Sequence, residues 1–75
     1  MIRLPAVRPR EVIRALERSG FVVDRTSGSH YVPKRRDDPK QRVIVAHRAR
    51  GLKPKTLRAI IEQAGLTEAE FLDLL

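Results

Sequence analysis

The chain has no cysteine and no tryptophan, and its aromatic residues are one Tyr and two Phe in 75 positions. Without thiols there is no disulfide, no thiolate nucleophile and no cysteine-based zinc site. Two His residues are too few to specify a metal centre, and no metal or other cofactor is expected. So few rings also argue against an aromatic platform on which single-stranded bases stack. Apolar runs are only a few residues long, too short to span a bilayer. Residues 1–20 lack the apolar core of a secretory signal. A cytoplasmic protein with no membrane partner is therefore expected. The length predicts a single domain over residues 1–75, and a chain of this size buries only roughly 60% of the surface it exposes when unfolded. A two-domain enzyme with a cleft between its halves is excluded.

Cations are abundant. Lys and Arg number 16 against nine Asp and Glu, a net charge of +7. Arg supplies twelve of the 16, and its rigid fork of donors suits phosphate. The charge is segregated along the chain. Residues 1–24 carry a net +2, residues 25–58 a net +9, and residues 59–75 a net −4. A basic balance of this kind points to a polyanion, with RNA or DNA the leading candidate, and the middle of the chain is the expected contact surface.

The apolar pattern predicts an α+β fold. Val12, Ile13 and Leu16 line one face of a helix over residues 8–19, with Gly20 as its stop and Phe21 packing back on the last turn. Residues 21–26 read as a strand, Ser27-Gly28 as a tight turn, and residues 29–35 and 42–47 as two more strands around a loop at 37–40. Pro33 cannot donate to a sheet ladder; with Thr26 and Ser29 flanking the first turn it falls opposite Val22. Leu57, Ile60, Ile61 and Ala64 mark a helix over residues 54–64 with Gly65 as its stop. Thr67-Glu68-Ala69-Glu70 is a capping box, and Leu66 with Phe71 a hydrophobic staple, for a short last helix over 68–74. The architecture is a three-stranded antiparallel sheet with helices on one face, in the order α-β-β-β-α plus a short C-terminal helix.

Both long helices begin with a cation and Pro rather than with a polar cap: Arg8-Pro9-Arg10 and Lys53-Pro54-Lys55. Positive charge at the positive end of a helix is unfavourable alone and favourable when an anion docks on the free N–H groups. Extension of these long side chains into water is the other reading, and it weighs equally at Arg8 and Arg10. At Lys53 and Lys55 the phosphate reading is favoured, because Arg48, Arg50 and Arg58 are near in sequence. His30 follows a glycine turn at the start of a strand in the basic segment. Imidazole titrates close to neutrality, so His30 can remove the proton of an RNA 2′-hydroxyl while cations stabilise the phosphorane. A loop at 37–40 puts Arg36 opposite Gln41 and His30 opposite His47, where the two imidazoles could share proton transfer. His47 as a strand-end residue supporting the turn into Arg48 is the favoured alternative.

The segments Gly20-Phe21, Gly28-Ser29-His30, Val43-Ile44-Val45-Ala46-His47 and 57–66, extending to Glu70-Phe71, resemble the HicA toxin family of type II toxin–antitoxin systems. The resemblance covers residues 8–71. It implies a fold similar to a double-stranded RNA-binding domain and an mRNA endoribonuclease whose catalytic His corresponds to His30. It also implies a HicB-like antitoxin as partner, with operator DNA contacted only through the toxin–antitoxin complex. The family often has Pro where Ala46 stands here, and the charged segment 32–42 is longer than expected. Gly28 and Ser29 are expected to shape the turn that presents His30. Lys34, Arg35, Arg36, Arg42, Arg48, Arg50, Lys53, Lys55 and Arg58 are expected to hold the RNA backbone. Duplex-binding domains grip with the first helix, a strand-connecting loop and the start of the last long helix, and basic residues fall on all three. A non-catalytic module that reads duplex shape is therefore the alternative, and a domain whose positive face docks an acidic protein is a third reading.

Overall fold

The computed structural model describes residues 4–27, 30–38, 40–46 and 51–75, with backbone alone for 24–27. The elements run α1 (Pro9–Arg18), β1 (Phe21–Ser27), β2 (His30–Arg35), β3 (Val45–Ala46), α2 (Pro54–Gln63) and α3 (Glu68–Leu74). The strands form one antiparallel sheet in the order β1-β2-β3. This is the expected α+β arrangement and is consistent with a double-stranded RNA-binding-domain-like fold.

The helices end as their glycines dictate. Gly20 and Gly65 both adopt positive φ, +103° and +73°, a region open to glycine and strained for other residues. After α2, the N–H of Gly65 donates to Glu62 O at 3.0 Å and that of Leu66 to Ile61 O at 3.1 Å. This pair of reversed bonds is the Schellman ending, which satisfies carbonyls that the helix leaves open. The next residue starts α3: Thr67 Oγ1 accepts from Glu70 N at 3.1 Å, and Glu70 Oε1 accepts from Thr67 N at 2.9 Å. The predicted capping box is thus formed. Its hydrogen bonds to Thr67 hold the Glu70 carboxyl below its ordinary pKa.

The buried core contains the predicted Val12, Ile13, Leu16, Leu57, Ile60 and Ile61. It also contains Phe21, Val43, Val45 and Phe71. Leu4, Val7 and Leu52 join the same cluster, and Val7 pairs with Leu52 in an antiparallel bridge closed by Leu52 N to Val7 O at 2.9 Å. That long-range pairing has no local signature in the sequence.

The sheet departs from expectation in register and in length. Thr26 pairs with Tyr31 and Ser27 with His30, and the register shifts between Val23 and Arg25, leaving Asp24 as a bulge. Pro33 consequently pairs with Val23, not Val22. On the other side, Arg35 N donates to Gln41 O at 2.9 Å, so the β2–β3 turn is one residue longer than the predicted 37–40 loop. The third strand was predicted over 42–47; among the described residues it is Val45–Ala46 plus a bridge between Lys34 and Arg42. Pro33 explains the interruption. Val43 N donates to Pro33 O at 3.0 Å, but Pro33 has no N–H with which to return the second bond of that pair.

Alternation along the strands sorts the two faces. Tyr31, Pro33, Val43 and Val45 are buried or half-buried toward the helices. His30, Val32, Lys34, Arg42 and Ile44 occupy the opposite face.

Candidate nucleic-acid interface

His30 is the first residue of β2 and is exposed. Its partner across the sheet is Ala46, not His47. The cause is the extra residue in the β2–β3 turn, since a one-residue change of register moves a side chain to the other face. His47 lies outside the described residues, as do Gly28, Ser29, Arg48 and Arg50. Among the described residues no three His, Cys, Asp or Glu side chains gather at metal-binding spacing.

The predicted phosphate contacts fall into three groups. Lys34 and Arg42 stand directly opposite each other on the open face of the sheet, Arg42 exposed and Lys34 half-buried with a partner of its own. Arg36 is exposed in the turn after β2, its N–H bonded to Gly20 O at 3.0 Å. Lys53 and Lys55 are exposed at the start of α2. That helix has no side-chain cap and no acidic residue in its first turn. The start of α1 differs, because Glu11 Oε1 accepts from Arg8 N at 3.1 Å and supplies negative charge there. Arg58, one turn into α2, is paired with Glu68 of α3 at 3.2 Å. This exposed ion pair contributes only about 0–1 kcal/mol.

Arg35 stands apart from the other cations. Its side chain points to the helix side of the sheet, where Nε donates to Gln41 Oε1 at 2.8 Å and Nη2 donates to Ala64 O at 3.1 Å. Its guanidinium lies over the Phe21 ring, 5.0 Å from the centroid. Gln41 Nε2 reaches the neighbouring carbonyl, Gln63 O, at 3.5 Å. Side chains at the two ends of the β2–β3 turn therefore bond carbonyls at the C-terminal end of α2, the negative end of its dipole. Gly65 makes room for them, since a Cβ there would sit 3.1 Å from Gln41 Nε2. Arg35 is thus a clamp between sheet and helix, a role that its sequence context did not reveal. A shallow depression of about 490 Å³ opens beside it, lined by Arg35, Gly65, Glu70 and Asp73 among others. With two carboxylates on its rim and no contribution from His30, it does not suit an RNA phosphate.

The fold, the basic sheet face and the one exposed imidazole among the described residues give a small α+β module with the charge expected of a nucleic-acid-binding protein. The profile of the family described as "HicA toxin of bacterial toxin-antitoxin" matches residues 9–66. The chain belongs to the HicA toxin family, whose members pair with antitoxins in toxin–antitoxin systems. A comparison with curated proteins found no match. No helix among the described residues is long and apolar enough to cross a membrane.

Proposed function

We propose that this chain is a metal-independent endoribonuclease that cleaves mRNA in the cytoplasm and is neutralised by a HicB-like antitoxin. The family is generally described as mRNA interferases. The observation that carries the reading for this chain is His30: an exposed imidazole at the start of β2, on the sheet face that also bears Lys34 and Arg42. In the proposed reaction His30 takes the proton of a 2′-hydroxyl. The 2′ oxygen bonds to the adjacent phosphorus, and the bond from phosphorus to the 5′ oxygen breaks as that oxygen acquires a proton. The products are a 2′,3′-cyclic phosphate and a free 5′-hydroxyl. Cations stabilise the charge that accumulates on the phosphorane oxygens. Gly28 and Ser29 shape the approach to His30, and Arg36, Arg42, Arg48, Arg50, Lys53 and Lys55 supply the positive surface.

Purified protein incubated with mRNA in excess chelator tests the reading. Cleavage is expected, with cyclic phosphate at the new 3′ ends and a loss of at least about 100-fold in His30→Ala, the usual scale of general acid–base catalysis. Wild-type rates in His30→Ala would remove the imidazole from the mechanism. Tight binding of duplex RNA without cleavage by the wild type would favour a non-catalytic shape reader instead.

A further inference from the structure

The open face of the sheet is organised in rows. At one end His30 pairs with Ala46, and at the other Lys34 pairs with both Val22 and Arg42. Between them Val32 pairs with Arg25, and the same β2–β3 register brings Ile44 to the other side of Val32. Rows lie two residues apart, so the ends of the face are separated by about 13 Å. Ile44 is 59% exposed and Val22 38%. None of the residues paired across this face is acidic. A short aliphatic stripe, the exposed Ile44 beside the half-buried Val32, thus lies between an imidazole and an exposed arginine, Arg42.

We infer that this face is the track of a single RNA strand, an inference that rests on the ribonuclease reading above. The strand runs along β2, with its scissile phosphate at His30 and a phosphate about two nucleotides away at Arg42. An unpaired base and its ribose lie on Val32 and Ile44. Charge selects a polyanion for this surface, and the aliphatic stripe selects its form. A duplex keeps its bases stacked inside and offers phosphates and 2′-hydroxyls, which gain nothing from Ile44. An unpaired base has an open face that lies flat on an apolar side chain and is desolvated there. With Ile and Val in place of aromatic rings, the contact is weaker than true stacking and tolerant of base identity. Ile44 and Arg42 are thereby positioning residues: they hold the strand and do not touch the reacting atoms. The substrate is single-stranded, and its scissile region lies along the sheet of the dsRNA-binding-domain-like fold.

The test compares one unstructured RNA oligomer with the same oligomer annealed to its complement. Wild type, Ile44→Thr and Arg42→Gln are assayed for cleavage, after circular dichroism confirms the native fold of each. Ile44→Thr keeps the β-branch and removes apolar area, so KM for the single strand is expected to rise about three- to ten-fold with kcat within about two-fold. Arg42→Gln raises KM similarly and flattens its salt dependence. The duplex is expected to be cleaved much more slowly. Binding of the labelled single strand is measured in parallel in a His30→Ala background, where Ile44→Thr should weaken affinity by the same factor. Equal cleavage of duplex and single strand, or wild-type KM and affinity in both variants, would overturn the track. So would variants that lose only binding to the antitoxin. Absence of any cleavage by wild type counts against the ribonuclease reading instead, and the His30→Ala binding measurements still decide the track.

Discussion

Arg35→Lys separates two roles that a cation in a basic hairpin can have. Lysine keeps the positive charge but has no planar fork with which to bond Gln41 and Ala64 together. The structure sets the cost. Two hydrogen bonds from a charged donor, at 2.8 and 3.1 Å, are each worth about 1.5–3 kcal/mol when lost from a buried site. Arg35 is only part-buried, and the ammonium can still find one acceptor, which reduces the loss to roughly that of a single bond. Some cation–π contact with Phe21 also survives, since an ammonium can lie over the same ring. The net expectation is a destabilisation of about 1.5–2.5 kcal/mol. At ~0.05–0.15 kcal/mol per residue, a chain of this length has roughly 4–11 kcal/mol in total. The variant should therefore unfold at visibly lower urea with an unchanged m-value, and melt about 6–20 °C lower. Affinity of the folded variant for RNA should match wild type, because the charge is retained and faces the helices. The exposed neighbour Arg36→Lys is the control for stability and should leave the urea midpoint unchanged. An unchanged urea midpoint with weakened RNA binding would refute the clamp and return Arg35 to the RNA contacts.

Three further outcomes follow from the fold. Gly65→Ala should cost about 1–2 kcal/mol in urea unfolding, because its φ of +73° is strained for alanine and the new Cβ meets Gln41 Nε2 at 3.1 Å. Phe71, wholly buried, anchors α3, and Phe71→Ala should cost about 3–5 kcal/mol; native-state hydrogen exchange should show loss of α3 protection first. Glu70 has a lowered carboxyl pKa in the fold. Its contribution should be complete above the ordinary value of 4.5 and vanish as pH falls through the lower folded value. Acid titration followed by amide exchange in α3 should show this, and Glu70→Gln should remove the pH dependence.

How much was legible in the sequence follows from the range of each determinant. The helices were readable because their signals are local: Val12, Ile13 and Leu16 at helical spacing, Gly20 and Gly65 as stops, Thr67 and Glu70 as a cap. Each was found where expected, within a residue. The sheet was readable in outline and misjudged in register, because the bulge at Asp24 and the longer β2–β3 turn each add a residue that no local pattern demands. Pro33 is legible as a defect in β2, but its consequence falls on the partner strand, around Val43. The structural role of Arg35 is hidden in the sequence for a general reason. A long cation in a basic segment looks like surface, and its acceptors, Gln41 and Ala64, are separated from it by a turn and by a whole helix. For the candidate site, the context of His30 singles it out as a proposal, whereas Ile44, exposed on the same face, reads as an ordinary strand residue. Its significance needs the register that puts it on the same face as His30 and Arg42.

The packing of α3 on α1 also has a consequence in time. Arg18 Nη1 bonds Leu74 O at 2.6 Å, and Phe71 fills the core that the first helix helps to build. A ribosome releases this chain from its N-terminus, so α1 emerges long before the residues that complete its surroundings. The finished core cannot close until residue 71 has been made. If the protein attacks translation, the nascent chain should be least competent to do so while it is still attached to the machine that makes it. Dependence on this aromatic residue would then work as a delay, arming the molecule only after residue 71 has left the ribosome.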